Sequence, residues 1–317
     1  MPPTRPARSR PPAWLVIIGV LVVLVVTAWA FGAGGSQEPR PEAGTRTVAA
    51  TLTAAAEAPA AVEPVQNEYR RDMARMSMKG GVVTNGGGRE KLVALTFDDG
   101  PGPLTMKFLA LLNRLDAPST FYVQGSILEL YPEVLKATVA GGHELGVHGW
   151  SHIDLRGAWG DAFQREVFGT RNLLKEITGV DAGTMRPAYD AVDDRVIRDA
   201  APARMVQVLW DVDTNDWQGR SPDQIADHVL ETATAGSIVL MHDGGDARQA
   251  TLRSLPRIVE GLRAKGVEFV TVSELLARDP PDELRDEDAV TPIDDAPAAT
   301  APAPDPSSTY GAPASGE

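Results

Sequence analysis

Between residues 89 and 278 short apolar runs alternate with longer amphipathic segments, and this alternation constrains the fold more than any other feature of the chain. Strand-like runs fall at 92–97, 120–124, 144–147, 184–186, 205–212, 237–241 and 268–272. Helical patterns lie between them at 105–115, 132–140, 162–177, 222–233 and 251–265. Such a βα alternation argues for a parallel sheet or barrel, so the expected class is α/β. In parallel α/β folds the loops at the C-terminal strand ends converge, and active sites assemble there. Residues that end the apolar runs are therefore the ones to search for chemistry.

The flanks read differently. Arg5, Arg8 and Arg10 precede a nearly unbroken apolar run over 13–31. A membrane span needs roughly 20 apolar residues, whereas the apolar core of a cleaved signal is usually about 7–15, so an uncleaved transmembrane signal anchor is expected over 13–33. Cleavage near Ala28-Trp29-Ala30 would instead release a secreted form. The arginines place the basic segment 1–12 in the cytoplasm and send the remainder across the plasma membrane. Residues 34–88, rich in Ala, Gly, Pro, Glu and Thr, are expected to be mostly disordered linker, with a short helix near 67–76. The catalytic domain is expected over 89–278, and 279–317 reads as an acidic, Pro/Ala-rich disordered tail whose composition names no partner.

Charge and cysteine content exclude several functions. The net charge is −13, of which the tail from Asp279 carries −9 through ten acidic residues and one arginine. No basic face beyond the first ten residues suits a phosphate backbone, which sets nucleic-acid binding aside. With no cysteine, disulfides, thiolate ligands and a thiol nucleophile are excluded, and any metal rests on His and carboxylates.

The apolar run 92–97 leads straight into Asp98-Asp99-Gly100-Pro101, placing two carboxylates at a strand end. The Gly-Pro turn is expected to let both face one cavity although neighbours in a regular strand point opposite ways. His148 and His152 follow the run 144–147, and their spacing of four puts both imidazoles on one face if the loop takes a helical turn. Two histidines and one carboxylate leave an open position on zinc or a similar ion, as a catalytic site requires. His242 ends the run 237–241, so three of the five histidines fall at strand ends. Asp211, Asp213 and Asp216, with Trp217, likewise end the strand-like stretch 205–210, although Asp-rich loops are commonly caps and turns. His143 and His228 read as structural, and Trp150 and Trp210 as core.

Five short motifs in this order resemble those of the polysaccharide deacetylase family, the NodB-homology carbohydrate esterases. They are Thr96-Phe97-Asp98-Asp99-Gly100, His148-Gly149-Trp150-Ser151-His152, Arg186-Pro187-Ala188-Tyr189, Asp213-Thr214-Asn215-Asp216-Trp217 and Ile238-Val239-Leu240-Met241-His242. The resemblance implies a distorted (β/α) barrel of about seven βα units. It implies Asp99, His148 and His152 as ligands of a divalent metal, Zn2+ first and Co2+ or another divalent ion as alternatives. It further implies Asp98 as general base, His242 as general acid, Arg186 holding Asp98 and Asp216 pairing with His242. The Tyr189 backbone N–H would stabilise the oxyanion, and Trp217 and Leu240 would wall the acetyl pocket. Two positions depart from the pattern: Gly149 stands where Ser or Thr is more frequent, and Ala188 replaces a second Pro.

The implied chemistry is coherent on its own terms. A bound divalent ion lowers the pKa of water and polarises a carbonyl, and a histidine paired with a carboxylate suits proton delivery to a departing amine. The expected activity is N-deacetylation of an acetylated cell-envelope glycan, either peptidoglycan N-acetylglucosamine or a chitin-like oligosaccharide. An O-acetyl esterase and an inactive glycan-binding module keeping the fold are the alternatives.

Overall fold

The computed structural model describes residues 65–245 and 248–285. Nine strands form one sheet: β1 Val82–Val83, β2 Leu92–Gly100, β3 Ser119–Val123, β4 Glu144–Val147, β5 Thr184–Met185, β6 Val206–Val208, β7 Val212–Asp213, β8 Ile238–His242 and β9 Glu268–Phe269. The helices are α1 Val65–Glu68, α2 Arg70–Lys79, α3 Thr105–Arg114, α4 Pro132–Ala140, α5 Gly160–Gln164, α6 Thr170–Thr178, α7 Asp194–Ala200, α8 Pro222–Thr232, α9 Gln249–Ala264 and α10 Val272–Arg278. The strand order is β1-β6-β5-β4-β3-β2-β8-β7, every pairing is parallel, and β9 joins the first residues of β2. The result is a curled parallel half-barrel, as the βα alternation requires.

Two-residue periodicity assigns the side chains. Val93, Leu95 and Phe97 of β2, Phe121 and Val123 of β3, Leu145 and Val147 of β4 and Val239 and Met241 of β8 join a core shared with the outer helices. The alternate residues turn to the opposite face: Leu92, Ala94, Tyr122, Val206, Val208 and Ile238 form a second core with Met73 of α2 and Leu275 and Leu276 of α10. On that face, two residues beyond Ala94 and again two beyond, come Thr96 and Asp98. His148, Arg186, Leu240 and His242 follow by the same alternation. The inner face is thus apolar toward the N-terminal strand ends and polar at the C-terminal rim.

Four expectations change. Ordered structure begins well inside the segment 34–88 expected to be linker: α1, α2 and β1 are packed, Met73 is fully buried, and the Gln66 side chain bonds both the carbonyl (2.9 Å) and the amide (2.7 Å) of Leu145. The short helix expected there is present and closes the apolar end of the barrel. The strand expected over 205–212 is broken, because its halves belong to distant parts of the sheet, β6 beside β5 and β7 beside β8. Asp211 in the break accepts from Ile238 N (2.7 Å) and Ser237 Oγ (2.8 Å), fixing the start of β8. The strand expected over 268–272 ends at Phe269, since Thr271 accepts from Glu274 N and starts α10. The tail expected from 279 begins folded: Asp279 is buried, bonding the amides of Arg89 (2.7 Å) and Glu90 (2.9 Å).

Among the described residues no helix is long and apolar enough to cross a membrane. The expected anchor at 13–33 and the basic segment 1–12 lie outside the described residues, as do 34–64 of the linker and 286–317 of the tail.

Candidate active site

Asp98 is the last residue that the regular alternation of β2 points inward. It is 3% exposed, and its Oδ1 meets Arg186 Nη1 at 2.7 Å. Arg186 is completely buried yet satisfied: Nη1 also donates to Thr96 Oγ1 (2.8 Å), Nε to the Val208 carbonyl (3.2 Å) and Nη2 to the Leu209 carbonyl (2.9 Å). The carbonyls are available because β6 ends at Val208, so the break in the expected strand supplies what a guanidinium inside a barrel needs. Its plane also lies against the Tyr122 ring, 4.3 Å from Cζ to centroid.

Asp99 would face outward if β2 continued regularly. Its φ of +70° and the register shift between Asp98 and Gly100 against β3 turn it back to the same side. The bulge at Asp99 itself does the turning, one residue earlier than the Gly-Pro turn expected from sequence. Asp99 Oδ1 lies 3.1 Å from His152 Nε2 and 3.6 Å from His148 Nε2, and it accepts from Gln124 Nε2 at 2.9 Å.

The two histidines converge by a different route from the helical turn expected. Residues 148–152 are loop, with Gly149 at φ +81° and His152 at φ +55°. Two left-handed residues reverse the chain so that the rings meet at 5.1 Å between centroids. His148 Nδ1 bonds the Arg186 carbonyl at 2.7 Å, which presents Nε2 to the cavity. One ligand atom each from Asp99, His148 and His152 lies within 4.8 Å of the others. A carboxylate oxygen and two Nε2 atoms converging this closely fit a divalent ion that accepts mixed N/O ligands. Burial would raise the Asp99 carboxyl, but the hydrogen bond to His152 and the nearby imidazoles outweigh it and hold Asp99 far below the usual carboxylate range. Burial lowers the His148 imidazole, whereas the bond to Asp99 raises that of His152. Asp99 is therefore held anionic and His148 is inclined to the neutral form, the states that metal coordination would require of them.

His242 ends β8 directly across from Asp98 in the β2–β8 register. Its Nδ1 lies 2.7 Å from Asp216 Oδ1, and its backbone N–H donates to Asp216 Oδ2 at 3.0 Å. Thr251 Oγ1 donates to the same Oδ2 at 2.7 Å. Burial works to lower the His242 imidazole, but Asp216 and the Asp98 and Asp99 carboxylates overcome it and raise it. Asp216 is lowered in return, against its own burial, by His242.

The other expected residues sort differently. Tyr189 stands at φ +59° with its ring edge-on to His152, 4.5 Å between centroids, and 63% exposed. Trp217 is 56% exposed on the short helix Asp216–Gln218, whereas Leu240 is buried in β8. Of the three carboxylates after β6, only Asp216 reaches the site, since Asp211 starts β8 and Asp213 accepts from Asn215 N at 2.8 Å in a turn. His143 is structural: its Nδ1 accepts from Ser119 N at 3.2 Å, Nε2 faces Asn113 Oδ1 at 3.1 Å, and burial pushes its imidazole down to about 4. His228 sits half-buried in α8. Trp150 and Trp210 were expected in the core; both are half-buried, Trp150 under the Arg165 guanidinium (4.8 Å) and Trp210 beside that of Arg186 (5.5 Å).

Gln124, Thr251 and Asp243 escaped the sequence reading. Gln124 and Asp243 each stand at a strand end, a signal that applied to them as much as to the histidines. Thr251 carries no such mark, being one of many helical threonines. Asp243 is buried beside Thr105, with burial foremost and the Asp98 and Asp99 charges pushing its carboxyl up to about 7.

On one rim the parallel half-barrel carries an Asp/His/His cluster that could hold a metal ion, an Arg-paired aspartate and an Asp-paired histidine. The sequence profile described as polysaccharide deacetylase matches residues 85–208. A peptidoglycan-N-acetylglucosamine deacetylase of Bacillus cereus is 34% identical over 190 residues, covering 59% of this chain and 89% of that protein. A chitooligosaccharide deacetylase of Sinorhizobium fredii is 32% identical, covering 55% and 86%. The crystal structure of a peptidoglycan N-acetylglucosamine deacetylase superposes with a TM-score of 0.60 at 31% identity, covering 62% of this chain and 94% of that one. The chain belongs to the polysaccharide deacetylase family and is a carbohydrate deacetylase.

Proposed function

We propose that the protein removes N-acetyl groups from an envelope glycan, with peptidoglycan N-acetylglucosamine as the preferred substrate, and that it does so with a divalent ion held by Asp99, His148 and His152. The observation carrying this reading is the convergence of those three ligand atoms within 4.8 Å on the rim that also presents Asp98 and His242. When bound, the ion supplies a Lewis acid for the acetyl carbonyl and makes a water easier to deprotonate. Zn2+ is the favoured ion and Co2+ an alternative, since both accept this donor set.

The chain's own residues divide the proton work. Asp98 Oδ1 is occupied by Arg186, and Oδ2, 3.7 Å from His148 Nε2, faces the cluster. Oδ2 accepts the proton of the attacking water. His242, oriented through Nδ1 by Asp216, offers Nε2 to the departing amine, and its raised pKa suits it to arrive protonated. The Tyr189 N–H stabilises the oxyanion, and Trp217 and Leu240 flank the acetyl group. The apolar run 13–31, with arginines before it, supports a membrane-tethered enzyme acting outside the plasma membrane.

The deciding measurement is acetate release from a panel of N-acetylated and O-acetylated glycans by the purified, metal-supplied protein. Release from N-acetylglucosamine polymers above that from acetylated xylan is expected. Release confined to O-acetyl esters would replace the amidase reading with the esterase one, and a folded, metal-loaded protein releasing nothing would support the glycan-binding module.

A further inference from the structure

The two histidine ligands are held in different ways. His148 is fixed through its ring, by the Arg186 carbonyl on Nδ1, and through its backbone, which donates to the Val123 carbonyl at 2.9 Å. Metal-bound histidines commonly have such a partner on the second ring nitrogen. Among the described residues none reaches Nδ1 of His152, whose ring rests against Tyr189 and His148. The placement of His152 Nε2 therefore depends on the backbone that carries it.

That backbone is pinned from two sides. Gly125 N donates to the Gly149 carbonyl at 2.9 Å, and Ser126 N to the Trp150 carbonyl at 3.0 Å. The amides of Trp150 and Ser151 both donate to a single atom, Glu166 Oε2, at 2.6 and 2.9 Å. Glu166 is 3% exposed and lies in a π-helical turn, Arg165–Gly169, inserted between α5 and α6. Such insertions interrupt a helix at some cost and recur at functional sites. The same turn sets Gly169 beside the Trp150 ring, which packs so closely on Gly125 that a Cβ there would meet Cε3 at 2.5 Å. A Cβ on Gly149 would come within 2.9 Å of Glu166 Oε2. Gly149 thus leaves room for the carboxylate at a position where the family more often has Ser or Thr.

We propose that Glu166, carried on this π-helical turn, is the positioning residue of the metal centre, clamping the Trp150 and Ser151 amides so that His152 is preset toward Asp99 and His148. The inference rests on the metal-centre reading above and adds to it a residue that touches neither metal nor substrate. A carboxylate accepting two backbone N–H bonds is stronger than a neutral acceptor, so the clamp weakens when the charge is removed at constant shape.

The test is Co2+ binding by full-length protein, followed by its visible absorption and by competition with a chelator, in wild type, Glu166→Gln and Glu166→Ala. Loss of an outer partner of this kind costs about 10–100-fold in metal affinity. Glu166→Ala is expected to show that loss with a changed Co2+ spectrum, and Glu166→Gln to fall between it and wild type. A purely structural role would lower the urea midpoint and leave the affinity and spectrum of the folded fraction unchanged. Wild-type affinity and spectrum in folded Glu166→Ala would overturn the proposal. If that variant does not fold, wild-type affinity in Glu166→Gln overturns it instead. Wild-type protein binding no Co2+ would overturn the metal centre together with the clamp, whereas a metal-binding wild type with indifferent variants overturns the clamp alone.

Discussion

Asp216→Asn should move the alkaline limb of activity toward lower pH. Asp216 has no exposed side-chain surface and meets His242 Nδ1 at 2.7 Å, so the pair is a buried, charge-assisted hydrogen bond. Bonds of that kind contribute about 1.5–3 kcal/mol. At 1.36 kcal/mol per pKa unit, losing the charge lowers the His242 pKa by about 1–2 units. The direction follows from the role: an acid must be protonated, so activity is present below the His242 pKa and lost above it. Asparagine keeps the side-chain volume and can still accept from Thr251 Oγ1 and the His242 amide, so the fold and the ring position should persist. The assay is the pH dependence of kcat/KM for acetate release from an N-acetylglucosamine oligomer. Near pH 6 the variant should approach wild type, with the gap widening at higher pH. An unchanged alkaline limb, with the rate reduced equally at every pH, would refute the reasoning and leave Asp216 as a packing residue. The pair also bears on stability. Because the folded His242 pKa is raised, its contribution is complete below the unfolded value of about 6.5 and is lost as pH rises through the folded value.

Other perturbations separate the parts of the site and of the fold. His148→Ala should lose stoichiometric metal by elemental analysis, while Asp98→Asn should bind metal normally and release no acetate; activity indifferent to a strong chelator would contradict both. Arg186→Met leaves Asp98 buried without its cation and should destabilise by about 3–5 kcal/mol in urea unfolding. Met73→Ala should cost about 2–5 kcal/mol, since Met73 is fully buried against the inner core. A cost near zero there would mean that α2 is an appendage and that the folded unit begins after it.

What was legible in the sequence is what local pattern encodes. Short apolar runs ending in Asp98, His148 and His242 specify parallel strands with polar termini, and the parallel fold brings such termini to one rim. The alternation inside each run was equally readable, because a residue two places before a catalytic one must share its face. The N-terminal boundary was not legible. Residues 65–88 have a linker's composition, and their order comes from contacts across the chain, such as Gln66 on Leu145 and Arg70 on the Ala203 and Arg204 carbonyls. A strand over 205–212 was a fair reading of apolar residues; its break depends on Asp211 meeting Ile238, far along the chain.

The site's finer geometry rests on backbone states that side-chain patterns do not specify. Asp99 at φ +70°, Gly149 at +81°, His152 at +55° and Tyr189 at +59° are all left-handed, and three of the four are non-glycine residues, for which that region carries a steric cost. Spacing alone brought the histidines to one face only on the condition of a helical turn. The structure instead holds them in a strained reversal, stabilised by the Arg186 carbonyl on His148 and by two partners that the motifs omit, Gln124 on Asp99 and Glu166 on the loop amides. Strain of this kind persists only where surrounding bonds over-determine it. The motifs therefore name the atoms proposed to meet substrate and metal. The groups that keep those atoms in place are scattered among residues that sequence reading treats as ordinary helix and strand ends.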